Sequence, residues 1–407
     1  MITPDSHRGK NIINFIVAMI LCIFIVIISI LTYYKSMGKE VDKMEISNVL
    51  SLKNIVDTAK EFSGKIEQHI ISYSKTDILK FAVYKNNIIK FTNEKIIALN
   101  YDGSILWTIN VNLKNPISRT NGKELMVADA GGKVVYVIRD RQIKTTINTD
   151  DEIIWADINN QGDIVAIQKA KGYSCRVVVY DRLGIEMYRR NVADDIFISA
   201  KICDDNKTMF IAGINTKNHE LMPALDILDK YGESIFNQRN IQLKPSQAII
   251  IAGVLKNNTA VVAGEKQIIY INTKGDVLWN QDFARIYSCH VSSNYTAVAS
   301  GGSEIEQLGD KKSKIQVFNI NGKEIVSFVI NEKIKNISII SDTIVLAADD
   351  RLLLYDLKGK ETGMYASPYD IRNIEFLNNS QAVLITNSDI RIINLSSIKG
   401  DKNVELN

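Results

Sequence analysis

The sequence has few of the residue types that build metal and redox sites. It contains four cysteines and four histidines in 407 residues. No two cysteines form a C-x-x-C pair, and no histidine stands at ligand spacing from a cysteine or a carboxylate. We therefore expect no metal site, and we interpret Cys175, Cys203 and Cys289 as small buried apolar side chains.

An excess of one charge sign is also missing. The 49 basic and 46 acidic residues leave a net charge of +3. Basic clusters are isolated pairs such as Arg189 and Arg190, without interleaved aromatic residues, so we expect no nucleic-acid partner. Acidic pairs such as Asp150 and Asp151 fall at predicted turns, which favour aspartate for its local hydrogen bonds. Neither a nucleophile elbow nor a phosphate-binding glycine loop occurs, and we expect no catalytic activity.

One long uncharged run is present near the amino terminus. Phe15 to Tyr34 reads FIVAMILCIFIVIISILTYY, twenty residues without a charge. At a rise of about 1.5 Å per residue, such a helix matches the roughly 30 Å hydrocarbon core of a bilayer. A cleaved signal peptide would have a shorter apolar run that ends in small residues, whereas Tyr33 and Tyr34 are typical of interfacial anchors. The run predicts a retained transmembrane helix.

The charges on the two sides of this helix decide its orientation only weakly. Arg8 and Lys10 on the short side are opposed by Lys35, Lys39 and Lys43 on the long side. The positive-inside rule therefore nearly cancels. We favour a short cytoplasmic tail with the rest of the chain outside, and the opposite orientation, with that part facing the cytoplasm, stays open.

From Lys65 onward, short runs of Ile, Val, Phe and Tyr alternate with polar turns, which is typical of many antiparallel strands. One unit, NYDGSILWTINVN, contains a turn at Gly103 between two strands. The turn recurs at 37- to 48-residue intervals, about 42 on average, as four-stranded propeller blades do. The other copies lie at Gly184, Gly232, Gly275, Gly322 and Gly359, with a glycine-less copy near Asp140 and a truncated one near Ser396.

A second polar turn precedes most glycine turns, as in NNQGD at Asn159, so each unit has four strands. First, second and third strands occur eight times, but fourth strands occur seven times. The segment 65–72 can supply the missing strand and remove the open edges of the ring. We therefore predict an all-β propeller of eight blades, with seven as the alternative. The predicted order is a tail (1–11), a transmembrane helix (12–34), a linker with a stalk helix (35–64), the propeller (65–399, closed by 65–72) and a tail (400–407).

The turn N-x-D-G-x-x-x-W resembles the repeat of pyrroloquinoline-quinone-type propellers. That resemblance implies that the aromatic residue packs between adjacent blades, as Trp107 would after Gly103 and Trp279 after Gly275. Quinoprotein dehydrogenases of this class stack their cofactor between a tryptophan and a vicinal disulfide and bind calcium. This chain has no adjacent cysteines and three tryptophans, so we expect neither the cofactor nor the activity.

The membrane helix and three further segments resemble a more specific family. The membrane helix, ISNVLSLKNIVD, LKNPI at 113–117 and VADAGGKVVYVI at 127–138 are similar to membrane-anchored propellers from clostridia-type bacteria. The function of that family is unknown. The resemblance therefore implies a fold and a topology but no activity.

Insertions between second and third strands would all emerge on one face of the ring. They lie at 169–175, 213–224 and 301–314. Because long loops on a rigid scaffold commonly bind partners, we expect a protein or an envelope polymer there, although neutral insertions are the alternative. The candidate contact residues are Tyr173, His219, Met222, Gln307 and Lys311. The sequence thus favours a membrane-anchored, extracytoplasmic binding or scaffold module over an enzyme that uses the propeller channel.

Overall fold

The computed structural model describes residues 67–73, 80–215, 221–235, 243–245, 247–302 and 312–398. In this part of the chain, consecutive strands pair into eight antiparallel sheets, which are the blades of a propeller. The prediction of an all-β, eight-bladed propeller is confirmed, and the seven-bladed alternative is wrong. The calls for 1–11, 12–34, 35–64 and 400–407 lie outside the described residues.

The first four blades follow one another along the chain. Blade 1 contains β2 (Lys80–Tyr84), β3 (Asn87–Phe91), β4 (Lys95–Leu99) and β5 (Ile105–Asn110), and blade 2 contains β6 (Pro116–Thr120), β7 (Leu125–Asp129), β8 (Val134–Arg139) and β9 (Gln142–Asn148). Blade 3 contains β10 (Ile153–Ile158), β11 (Ile164–Ala170), β12 (Tyr173–Tyr180) and β13 (Glu186–Val192). The described strands of blade 4 are β14 (Asp195–Ile202), β15 (Thr208–Asn215) and β16 (Met222–Asp229).

The other four blades continue the ring, and the last one includes the first strand of the chain. Blade 5 contains β17 (Ile250–Val254), β18 (Ala260–Ala263), β19 (Gln267–Ile271) and β20 (Val277–Asp282), and blade 6 contains β21 (Arg285–Val291), β22 (Tyr295–Gly301), β23 (Ser313–Asn319) and β24 (Glu324–Ile330). Blade 7 contains β25 (Asn336–Ile340), β26 (Thr343–Ala347), β27 (Arg351–Asp356) and β28 (Glu361–Ala366). Blade 8 contains β29 (Ile371–Asn378), β30 (Gln381–Thr386), β31 (Asp389–Asn394) and β1 (Glu67–Ser72).

The hydrophobic core is divided among the seams between blades. The first strands of successive blades contact one another, which places them around the central channel. Each seam buries side chains from two consecutive blades; Phe91 of blade 1, for example, packs with Leu125 and Ile138 of blade 2. Middle strands such as β7 and β26 are buried at every position, because both of their faces lie in a seam. Their apolar runs therefore lack the alternation that outer strands show.

Blade 8 joins the two ends of the propeller segment. β1 pairs antiparallel with β31, from Ser72 opposite Asp389 to Glu67 opposite Ile393. Beyond β1, the Tyr73 hydroxyl donates to the Thr386 carbonyl oxygen at 2.5 Å. The amino-terminal strand thus completes a sheet whose other three strands come from the end of the chain, and no open edge is left between them.

Two irregular repeats differ from the glycine turn in their backbone. At the glycine-less copy, Asp140 and Arg141 have φ values of 53° and 63° and close a two-residue turn between β8 and β9. Both residues occupy the left-handed region, as a type I′ hairpin requires. After β31 the chain enters the short helix α1 (Leu395–Ile398), so the truncated copy near Ser396 is not a turn.

No helix of the described residues is long and apolar enough to cross a membrane.

Candidate functional site

The glycine turns follow the third strands of the blades, and five of the six share one hydrogen-bonding scheme. In blade 3, an Asp181 Oδ1 atom accepts the N–H groups of Leu183 and Ile185, both at 2.9 Å. The Gly184 N–H donates to the Asp181 carbonyl oxygen at 2.9 Å, and Gly184 has a φ of 84°. The same scheme recurs with Asp229, Asn272, Asn319 and Asp356 as the acceptor. Asn or Asp stands three positions before each glycine, a regularity that was not among the predictions from the sequence.

The turn at Gly103 uses a different arrangement, although its sequence matches the repeat best. The Asn100 Oδ1 atom accepts the N–H of Tyr101, the next residue, at 2.9 Å. Asp102 instead accepts the N–H and the hydroxyl of Ser104, at 2.9 and 2.6 Å. The Asp102 carboxylate therefore replaces the acceptor that stands three positions before the glycine in the other copies.

A β-bulge directs the residue four positions after the glycine toward the next blade. In blade 3, Val179 pairs with Tyr188 and Tyr180 pairs with Glu186, which leaves Met187 as the extra residue. The Tyr188 ring then lies against Gly232 of blade 4, where a Cβ atom would be 2.6 Å from the ring. Burial raises the pKa of the Tyr188 hydroxyl to about 12. The glycine thus provides both a positive φ and room for an aromatic ring.

The turn tips of blades 3 and 4 carry large apolar residues that are exposed. Leu183 and Ile185 are 65% and 62% exposed, and Tyr231 of blade 4 is 69% exposed. The turn itself does not require apolar residues, because the same backbone carries polar ones elsewhere. The equivalent pairs are Lys274 and Asp276, Asn321 and Lys323, and Lys358 and Lys360. With the exposed Met187 and Ile235, these residues form what we call the apolar turn surface (Leu183, Ile185, Met187, Tyr231 and Ile235).

A cleft lies beside the apolar turn surface, at the seam between blades 3 and 4. It is small and open to solvent, and Met187 and Tyr188 are among the residues that line it. Lys207 and Lys230 also line it, and the Lys230 ammonium lies 4.8 Å from the centre of the Tyr231 ring. The cleft therefore combines an apolar wall with two lysine side chains and the carboxylates of Asp163 and Asp229.

Hydrogen bonds between the two blades hold the cleft in shape. The Asn206 side-chain amide of blade 4 donates to Gln161 Oε1 at 3.0 Å and to the Asp163 carboxylate. Burial raises the pKa of Asp163. The Arg190 guanidinium donates to Asp226 Oδ2 at 3.0 Å and to the Gly232 carbonyl oxygen at 3.2 Å. These bonds tie the turns of both blades into one rigid support.

Of the contact residues predicted from the sequence, the structure describes Tyr173 and Met222, which lie on the face opposite the glycine turns. Tyr173 is exposed, but the segment 169–175 is not a long loop: β11 and β12 extend through it and turn on Lys171 and Gly172 alone. Met222 begins β16 and is half-buried. His219, Gln307 and Lys311 lie outside the described residues, and a partner at this face stays a prediction.

The thiols of Cys175 and Cys203 are buried, and Cys289 is half-buried. Cys175, Cys203 and Cys289 are free. Burial raises the pKa of Cys203 and Cys289 to about 12, so both stay protonated at neutral pH. Among the described residues, no three His, Cys, Asp or Glu side chains converge as metal ligands would.

Solved structures of other propellers resemble this one in fold. Sqt1 from Saccharomyces cerevisiae is 11% identical over 81% of this chain and 99% of its own, with a TM-score of 0.58. The computationally designed protein Ika8 is 14% identical over 81% and 100%, with a TM-score of 0.58. BamB from Moraxella catarrhalis is 12% identical over 80% and 99%, with a TM-score of 0.51. At such identities the likeness shows the fold alone.

The sequence itself matches a family rather than a characterised protein. The profile of a family of unknown function (DUF5711) matches residues 58–395. No curated protein sequence matches the chain. The expected resemblance to a propeller family of unknown function is confirmed.

Proposed function

The chain belongs to the DUF5711 family of unknown function, and we propose that its propeller is a non-enzymatic module that binds a protein through the apolar turn surface. The observation that carries this proposal is the replacement of polar turn residues by Leu183, Ile185 and Tyr231 on an unchanged backbone. Exposed apolar groups that the fold does not require are typical of interaction sites.

The cleft indicates the chemistry of the partner. The Asp163 carboxylate already accepts a hydrogen bond from Asn206, and an Asp229 oxygen accepts the N–H groups of its own turn. The Lys207 and Lys230 side chains are both exposed at the cleft. A partner that inserts an apolar side chain beside Met187, and whose polar groups meet both these lysines and the Asp163 and Asp229 carboxylates, would match the surface.

Site-specific photo-crosslinking in cells tests the surface directly. A photoreactive amino acid at position 185 or 231 should give a discrete adduct with one protein. The same group at Asn321 or Lys358, the tips of equivalent polar turns, should give none. The same photoreactive amino acid at position 173 tests for a partner at the opposite face of the propeller. Adducts from position 173 without adducts from 185 and 231 would move the interface to that face and contradict the proposal.

Substitutions then measure how much the surface contributes. Replacing Leu183 with Asn and Ile185 with Lys gives blade 3 the turn residues of blade 6, so the fold should be unaffected. We expect the crosslinked partner to be lost, because apolar anchors in an interface contribute about 2 kcal/mol or more each. The control is Leu278→Lys at the exposed bulge of blade 5. An equal loss in the control would show that the effect is not specific to this surface.

We further propose that residues 12–34 anchor the propeller to a membrane, with the propeller on the extracytoplasmic side. The uncharged run of twenty residues supports the anchor. Protease treatment of intact cells tests the side: an extracytoplasmic propeller is digested, whereas a cytoplasmic one is protected.

A further inference from the structure

The apolar turn surface has both an exposed tip and a recess. Leu183 and Ile185 of blade 3 are largely exposed in their turn. The cleft beside them is lined by Met187 of the same blade and by Lys230 of blade 4, which precedes the exposed Tyr231. A surface that carries an apolar tip next to an apolar recess matches a second copy of itself, because each copy inserts its tip and receives the other.

Exposed charges of both signs surround the tip and the cleft. Arg182 and Lys230 lie in the two glycine turns, next to Leu183 and Tyr231. Lys207 lies in the turn between β14 and β15 and lines the cleft. The exposed charges on these three turns are three cations and three anions: Arg182, Lys207, Lys230, Asp204, Asp205 and Glu233.

These six side chains form no ion pair with any other residue that the structure describes. The ion pair at the same seam uses other groups, because Arg190 lies 3.0 Å from Asp226. The half-buried carboxylates of Asp163 and Asp229 accept hydrogen bonds from Asn206 and from the N–H of Tyr231. The six exposed charges are therefore available to a partner.

The mixture of signs favours one kind of partner. A strongly acidic protein would place its charge against three exposed carboxylates, and a strongly basic one against three cations. Like charges that meet across an interface oppose binding. A second copy carries both signs in the same arrangement, and a two-fold axis makes each contact between two different residues occur twice.

The surface is small, which indicates a weak dimer. Stable interfaces use about 20 to 30 residues on each side. Here five apolar residues and six charged ones are available on each copy, so association should depend strongly on concentration. The membrane anchor proposed above would keep both copies in one membrane and so raise their effective concentration.

We propose that the protein bound at the apolar turn surface is a second copy of this chain. The two copies form a two-fold symmetric dimer in which an apolar tip residue of each enters the cleft of the other. This inference rests on the proposed function, because it names the partner of the same surface.

The first experiment co-expresses two full-length copies with different epitope tags, one of which carries a photoreactive amino acid at position 185. The adduct should have twice the mass of the chain and contain both tags. An adduct that contains one tag and another protein would overturn the dimer and leave the proposed function intact. Absence of any adduct from positions 185 and 231 would overturn both.

Reversal of charge then tests whether the two surfaces match each other. Lys207→Glu with Lys230→Glu makes the exposed charge mainly negative, and Asp204→Lys with Glu233→Lys makes it positive. Each double variant alone should lose about tenfold or more of its adduct, because like charges then face each other. The two variants expressed together should restore an adduct that contains both tags.

A matched control uses exposed lysines on the equivalent turn of blade 7. Lys358→Glu with Lys360→Glu changes the same number of charges and should leave the adduct within about twofold of wild type. Melting curves establish that all three double variants are folded. If folded variants failed to restore the mixed adduct, or if the control lost it equally, the dimer would be wrong.

Discussion

The Trp279 ring of blade 5 lies against Gly322 of blade 6, where a Cβ atom would be 2.1 Å from the ring Cγ. The ring also lies 4.8 Å from Tyr270 of its own blade and 4.7 Å from Phe318 of the next, measured between centroids. The same relationship joins Tyr188 to Gly232 and Phe328 to Gly359. An aromatic ring of one blade thus occupies the space that a side chain at the glycine of the next blade would fill.

Gly322→Ala should therefore destabilise the fold through two separable effects. The φ of 75° costs an L-residue about 1 to 2 kcal/mol, and the clash with Trp279 adds about 1 to 3 kcal/mol. Gly172→Ala is the matched control, since Gly172 has a φ of 82° but nothing within 4 Å of the added Cβ. Urea unfolding measures both. In a Trp279→Leu background the cost of Gly322→Ala should fall to that of the control, and an unchanged cost would contradict the packing relationship.

Asn319→Ala tests the side-chain acceptor of the glycine turn. Asn319 Oδ1 accepts the N–H groups of Asn321 and Lys323 at 2.9 and 3.0 Å. Their loss should lower the free energy of unfolding by about 1 to 2 kcal/mol. Asn321→Ala, at the exposed tip of the same turn, should change it by less than about 0.5 kcal/mol. Equal effects would show that the acceptor contributes nothing specific.

Asp389→Asn should destabilise blade 8. Asp389 and Arg391 form a buried ion pair, with Arg391 Nη2 2.8 Å from Asp389 Oδ2. Arg391 Nη1 also donates to the Tyr365 hydroxyl at 3.2 Å. Removing one partner leaves an uncompensated buried charge, which costs about 3 to 5 kcal/mol. The control, Asp150→Asn, breaks the exposed pair with Arg189 and should cost about 1 kcal/mol or less.

Hydrogen exchange locates the expected opening. Amides of β1 and β31 should lose protection in Asp389→Asn before those of blades 3 and 4, because blade 8 is where the two ends of the propeller segment meet. Uniform loss of protection around the ring would mean that the ion pair stabilises the whole propeller rather than its closure.

His290 should make the fold less stable in acid. Its Nδ1 accepts the Ile339 N–H at 3.3 Å across the seam between blades 6 and 7, and burial lowers its pKa. Because the unfolded chain takes up the proton more readily, this contribution is present above about pH 6.5 and is lost as pH falls toward the lowered folded-state pKa. His290→Gln keeps an acceptor that does not titrate.

The measurement compares melting temperatures at pH 8 and pH 5. Wild type should lose more stability on acidification than His290→Gln. Burial raises the pKa of Glu332 and of Glu375, so these groups act in the opposite direction, but they do so equally in both proteins. Identical pH profiles would show that His290 is not buried in its neutral form.

Removal of residues 1–34 tests the proposed membrane anchor. The full-length chain should stay in the membrane fraction after alkaline carbonate washing, because twenty uncharged residues partition into hydrocarbon. The shortened chain should move to the supernatant. A full-length chain released by carbonate would contradict a spanning helix.

The repeats allowed much of the fold to be predicted, and they failed where a copy was irregular. The glycine turns and the count of first, second and third strands predicted eight four-stranded blades, because each copy reports local turn chemistry that sequence preserves. The segment 169–175 was misread as a loop, since its polar residues form the ends of two long strands. Polarity alone does not distinguish an exposed strand end from a loop.

The candidate sites were harder to predict for a different physical reason. Leu183 and Tyr231 lie 48 positions apart in the sequence, and only the packing of blade 3 against blade 4 brings their turns together beside one cleft. In the sequence, an apolar residue at the tip of a turn also looks like the apolar residues of the adjoining strands. Comparison of equivalent turns distinguishes such a residue, because positions with the same backbone conformation should have the same residue preferences.

The sequence by itself determined the number of blades and the position of each glycine turn, because turns and strands depend on neighbouring residues. The tertiary structure alone decided which residues meet across the seams: the Trp279 ring with Gly322, Arg119 with Trp155, and the apolar turn surface with its cleft. Those contacts join residues of different blades. They depend on how neighbouring sheets pack against one another, which the local sequence of one blade does not encode.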